Sequence, residues 1–216
     1  MIILGLTGSI GMGKTTAASM LRGLGVPLFD ADRVVHGLLA PGGAAVWKVA
    51  GAFPGVRNEG GGIDRRLLGQ RVFADVAELK RLERILHPLV RAEEKRFLDR
   101  ARARRERLVV LDIPLLFETS GERRCNYVVV VSAPALVQRQ RVLRRPGMTE
   151  IRLAAILQKQ IPDQVKRQRA DFVVPTGLGR NLTLRRLRAI VRLLAADGTR
   201  CNNQGARAVR VRRRRQ

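Results

Sequence analysis

The sequence predicts an α/β fold, a parallel sheet wrapped by helices, and three observations carry the prediction. Short apolar runs alternate with longer segments of helical periodicity along most of the chain. The first run, Ile2-Ile3-Leu4-Gly5-Leu6, leads through a glycine-rich loop straight into a helical pattern, Thr16 to Leu21. Apolar residues make up 45% of 216 residues, enough for one domain with a sizeable core and an insertion.

The loop is Gly8-Ser9-Ile10-Gly11-Met12-Gly13-Lys14-Thr15, the G-x-x-x-x-G-K-[ST] spacing of a phosphate-binding loop. Its glycines let successive N–H groups turn inward toward an anion, and the following helix points its positive end the same way. Lys14 supplies a point charge for the β- and γ-phosphates, and Thr15 a hydroxyl for Mg²⁺.

The second predicted strand is Gly25 to Phe29, which delivers Asp30-Ala31-Asp32 at its carboxyl end, where open parallel sheets bind ligands. Asp32 opens a helix through Leu39. One carboxylate there suits a general base or a metal shell, and it equally suits a helix cap. Residues 44–105 then read as helices over Ala44–Ala52, Arg65–Phe73, Val76–Leu86 and Pro88–Arg105, a helical insertion with His87 at a helix junction and Trp47 as a core or interface anchor. Leu108–Asp112 and Tyr127–Val131 are apolar enough to be strands buried on both faces. Asp112 ends its strand either as a metal-shell acid or as an ordinary polar strand end. After Pro134 a helix carries Arg141 and Arg145 four residues apart, on one face. With Arg144 they suit either a lid over a triphosphate or a solvated basic surface. Pro146-Gly147 stops that helix, and another runs from Thr149 to Gln160. A fifth strand, Phe172–Val174, and a last helix, Thr183–Ala196, complete the pattern.

Net charge is +24, from 42 Lys and Arg against 18 Asp and Glu. Residues 200–216 hold seven arginines and no acid, so a basic, disordered tail is expected over 197–216. Such charge suits nucleic acid, and it suits a kinase of anionic substrates just as well. Cys125 and Cys201 sit in no metal-ligand spacing, which argues against a disulfide scaffold and fits a reducing cytosol. The apolar start is too short for a signal peptide, and no segment is long enough to cross a bilayer. Neither an Asn-Lys-x-Asp nor a D-x-x-G element follows the loop, which sets a GTPase aside.

The chain resembles the dephospho-CoA kinase family. The residues that carry the likeness are Leu6 to Thr15, Leu24-Gly25-Val26-Pro27 with Asp30-Ala31-Asp32, Arg65-Arg66 with Leu68, Arg71 and Phe73, Leu86-His87-Pro88-Leu89-Val90, Pro114-Leu115-Leu116-Phe117-Glu118, Gln138 with Arg141 and Arg145, and Gln160 with Ala170 to Val174. They stand in family order from Met1 to about Leu194. The resemblance implies a P-loop kinase in residues 1–196, with a core of 1–40 and 106–196, a helical substrate insertion at 41–105 and a lid at about 139–165. It implies transfer from ATP to the ribose 3′-hydroxyl of dephospho-CoA in the cytoplasm, with Mg²⁺ accompanying ATP. The rival is another small-molecule P-loop kinase, for a nucleoside monophosphate or a sugar acid. Asp32 takes the place of the catalytic acid, with Lys14 and Arg141 as catalytic partners. ATP is expected on Gly8, Ser9, Ile10, Gly11, Met12, Gly13, Lys14, Thr15 and Thr16, with Arg145. Dephospho-CoA is expected at Asp32, Arg65, His87 and Pro88, and Mg²⁺ at Thr15, with Asp112 a second candidate. A monomer without membrane contact is expected, and contact with nucleic acid only through the tail. One departure stands out: Thr176 occupies the place of an asparagine usual in the family.

Overall fold

The fold follows from where the apolar runs find cover. The structure, a computed structural model, describes residues 1–200, except the side chains of 73, 74 and 197–200. Five strands form one parallel sheet: β1 (Ile2–Thr7), β2 (Leu28–Asp30), β3 (Leu108–Asp112), β4 (Tyr127–Ser132) and β5 (Phe172–Pro175), in the order β2-β3-β1-β4-β5. β1 is the middle strand, pairing Ile3 with Val109 on one side and Gly5 with Val128 on the other. Helices α1 (Lys14–Gly23), α2 (Ala31–Leu39), α3 (Val46–Ala52), α4 (Arg65–Ala74), α5 (Val76–Ala103), α6 (Ala135–Leu143), α7 (Glu150–Gln158), α8 (Asp163–Arg169) and α9 (Arg180–Arg200) fill the connections. The chain divides into two compact units, Met1–Leu28 with the chain from Ala101 onward, and Phe29–Arg100.

In the first unit, the period of two along β4 explains its unbroken valine run. Val129 and Val131 pack in the cluster that holds Leu4, Leu6, Leu21, Leu187 and Leu194. Val128 and Val130 pack in a second cluster, with Leu116 and Phe117. One fully buried charge lies here. Lys166 of α8 is 0% exposed, and its Nζ stands 2.8 Å from Glu118 Oε1. The same Glu118 oxygen accepts the Ile161 N–H at 3.0 Å. Among the described residues, no helix is long and apolar enough to cross a membrane.

The second unit has its own core, formed by Leu38, Val46, Val49, Phe53, Ile63, Leu68, Leu82 and Leu86. Several details depart from the sequence pattern. Pro88 does not separate two helices: α5 runs unbroken through it. The proline forgoes one backbone hydrogen bond, but the apolar stripe continues across it, from Leu79, Leu82 and Leu86 to Leu89 and Val90, so burial holds the helix together. Trp47 is not a core anchor. It is 76% exposed, with the Arg57 guanidinium stacked 4.8 Å from its ring. β2 is only three residues long. α8 forms where the pattern gave no helix, since its one buried side chain is a lysine. α9 continues past Ala196 to Arg200, and the rest of the basic tail lies outside the described residues.

Candidate active site

The loop between β1 and α1 is built by backbone geometry that only glycine supplies cheaply. Gly11 has φ 75° and Gly13 φ 86°, both left-handed. A Cβ on Gly11 would stand 2.5 Å from Val142 Cγ2, and one on Gly13 3.2 Å from Thr176 Oγ1. Gly13 is the N-cap of α1 and has no side chain to cap with. The first-turn amides of Lys14, Thr15 and Thr16 therefore face outward from the positive end of the helix, where an anion is favoured.

Lys14 opens α1, and its Nζ donates to Asp112 Oδ1 at 2.8 Å, in an ion pair whose side chains are only 17% and 4% exposed. Register explains the meeting: Leu6 of β1 lies opposite Asp112, the last residue of β3. An ammonium has three donors, so the pair fixes the lysine while leaving donor capacity for phosphate oxygens. Ser9 is buried and Thr15 exposed. Thr15 and Asp112 offer hard oxygen atoms, the donor type Mg²⁺ takes. The described residues hold no group of three His, Cys, Asp or Glu with metal spacing.

Three side chains distant in sequence hold the loop. Gln138 of α6 donates through Nε2 to Ile10 O at 2.8 Å. Gln160 accepts the Ile10 N–H at 3.1 Å. Thr176, just after β5, donates through Oγ1 to Met12 O at 2.8 Å. Arg141 lies one turn beyond Gln138 and donates to Thr176 twice, to Oγ1 at 3.1 Å and to the carbonyl at 2.7 Å. Thr176 thus links the arginine to the phosphate loop. Arg145 does not share a helix face with Arg141 as expected: α6 ends at Leu143, and Arg145 is exposed in the turn after it, while an Arg139–Glu150 ion pair joins α6 to α7. No spacing rule marks these roles. The contacts span 150, 128 and 164 residues of sequence, and the only hint was that Gln138 and Gln160 recur among the family landmarks.

A cavity of about 640 Å³ opens beside α6 and α8, lined by Met12, Pro134, Gln138, Asp163, Arg167 and Val173 among others. Met12 of the loop lines it, while Lys14 and Thr15 do not.

The other residues singled out from the sequence lie in the second unit. Asp30, not Asp32, caps α2: its carboxylate accepts the Arg33 N–H at 3.0 Å. Asp32 stands in the first turn with its side chain exposed, so the cap reading of Asp32 is set aside. Arg65 Nη1 lies 3.1 Å from His36 Nδ1. His87 and Pro88 are exposed in the middle of α5.

Comparison with known proteins agrees with this geometry. The family model described as dephospho-CoA kinase matches residues 2–178. A dephospho-CoA kinase from Rhodospirillum rubrum is 56% identical over 209 residues, covering 97% of this chain and 99% of its own. One from Paramagnetospirillum magneticum is 64% identical over 194 residues, 90% of this chain and 91% of its own. Among solved structures, one from Thermus thermophilus superposes with TM-score 0.75 at 36% identity, covering 89% of this chain and 97% of that one. Dephospho-CoA kinase from Campylobacter jejuni shares the fold, with TM-score 0.68 at 23% identity, over 90% of this chain and 98% of its own. With the phosphate loop, its lysine and the surrounding landmarks all in place, the chain belongs to the dephospho-CoA kinase family.

Proposed function

We infer that this chain transfers the γ-phosphoryl group of ATP to the ribose 3′-hydroxyl of dephospho-CoA, giving coenzyme A and ADP. The observation that carries the reading is the match to dephospho-CoA kinases along nearly the whole chain, on a loop shaped for a phosphate chain. Nothing in the site favours a nucleoside monophosphate or a sugar acid instead.

Phosphoryl transfer asks a protein for positioning and charge neutralisation more than for covalent chemistry. The α1 amides and Lys14 hold the β- and γ-phosphates. Mg²⁺, when bound, neutralises charge that develops on the phosphate oxygens; Thr15 would hold it directly, and Asp112 through water. Asp32 accepts or orients the proton of the attacking 3′-hydroxyl. Arg141 on α6 and Arg145, two residues past its end, stabilise charge on the transferred group and exclude water, which would otherwise accept the phosphate. Arg65, His87 and Pro88 on the helical unit receive dephospho-CoA.

A coupled ADP-release assay tests the reading. Turnover is expected with dephospho-CoA and not with AMP, CMP or gluconate. Turnover with one of those three, and none with dephospho-CoA, would overturn it.

A further inference from the structure

Ile10 is gripped on both sides, its N–H by Gln160 and its carbonyl by Gln138, and the second grip fixes which way one loop amide faces. Ser9 to Met12 form a four-residue turn closed by the Met12 N–H on Ser9 O at 3.1 Å. Gly11, at the third position, has φ 75°. Positive φ there marks a type II turn, which differs from type I by a flip of the middle peptide. That middle peptide is Ile10–Gly11. Its carbonyl accepts from Gln138 Nε2 at 2.8 Å. In a planar trans peptide the N–H points opposite to the carbonyl, so pulling Ile10 O toward α6 turns the Gly11 N–H away from α6. Gln160 accepts the preceding N–H, that of Ile10, at 3.1 Å, so this amide is directed at a side chain and not at an anion. The amide roles are chemically unambiguous, since a backbone carbonyl only accepts and a backbone N–H only donates. Gln138 is 7% exposed, so water competes little for its amide. Thr176 acts in the same sense one peptide pair later, holding Met12 O and so setting the Gly13 N–H.

We propose that Gln138 and Gln160 are positioning residues: Gln138 locks the Ile10–Gly11 peptide in the flipped state, Gln160 holds the Ser9–Ile10 peptide before it, and together they commit the Gly11 N–H to the ATP phosphates. Neither touches ATP. Gln138 works as a donor and Gln160 as an acceptor, and the device rests on the kinase reading above. Gln138 shares α6 with Arg141, so the orientation of the loop amide is tied to the helix that carries that arginine.

The test is a charge-matched pair. Gln138→Glu and Gln160→Glu each add one negative charge beside Ile10, but only the first destroys its hydrogen bond, because a carboxylate can accept the Ile10 N–H and cannot donate to the Ile10 carbonyl. Titration with Mg·ATP is expected to show Gln138→Glu binding about 10–100-fold more weakly than Gln160→Glu, the worth of one hydrogen bond to a charged group. Gln138→Met, neutral and of similar length, should lose ATP affinity by a similar factor while melting within a few degrees of the parent. In ¹⁵N-labelled enzyme, the Gly11 amide resonance should move downfield on adding Mg·ATP in the parent and in Gln160→Glu, and should stay in place in Gln138→Met. Equal losses in the two glutamate variants, or a normal Gly11 shift in Gln138→Met, would overturn the proposal. Either result would leave the parent's turnover of dephospho-CoA, and so the assigned reaction, intact.

Discussion

Lys14 meets Asp112 at 2.8 Å at the mouth of the loop, in a pair largely withdrawn from water. A charge withdrawn from water needs a partner, so Asp112 keeps the ammonium aimed while phosphate oxygens take its remaining donors. Lys14→Ala is expected to weaken ATP binding and to cut turnover by about 10²–10³-fold, the usual loss when one charge-stabilising donor goes; steady-state kinetics with varied ATP would measure both effects. Asp32 makes a different prediction. Its exposed carboxylate in the first turn of α2 caps nothing, because Asp30 does. Asp32→Asn should lower kcat by about 10²–10⁴-fold, the contribution of a positioned base, with little change in ATP affinity. Near-normal turnover in that variant would remove Asp32 from the reaction.

Two elements hold features that their own sequence does not advertise. α5 carries a proline in its interior at an exposed position. Replacing it with alanine restores a backbone hydrogen bond and removes a clash, so Pro88→Ala should raise stability by about 1–3 kcal/mol, read as an upward shift in the denaturation midpoint. If the variant also weakens dephospho-CoA binding, the proline has a second role at the substrate surface. The other element is α8, seven residues long and anchored by the buried Lys166–Glu118 pair. Glu118 also holds the Ile161 amide, next to Gln160. Lys166→Met leaves a carboxylate in the interior without its partner, and a loss of about 3–5 kcal/mol is expected, seen as a fall in Tm on the order of 10 °C. A Tm near that of the parent would mean that Glu118 finds another partner.

For the whole molecule, charge and topology answer different questions. Removing residues 201–216 takes away six arginines and should leave dephospho-CoA turnover within about twofold, as changes remote from a packed site do. Any binding to RNA should fall away with the same truncation and with rising salt. A large loss of turnover would give the basic tail a part in the reaction.

The amino-acid sequence by itself determined the α/β class, the five strands, the phosphate loop with Lys14 and Thr15, and the family. These rest on local information: a period of two or of 3.6, a loop spacing, a run of landmarks. It misjudged Pro88, because a proline's cost depends on what packs nearby, and it left Trp47 between a core and an interface anchor, of which the structure removes the core. It singled out Gln138, Gln160 and Thr176 only as landmarks or a departure of a family, without their contacts, and it gave no sign of the Glu118–Lys166 pair. Those were decided by the tertiary structure alone, since each joins groups tens to more than a hundred residues apart, which meet only once the strand order places the ends of β1, β4 and β5 side by side.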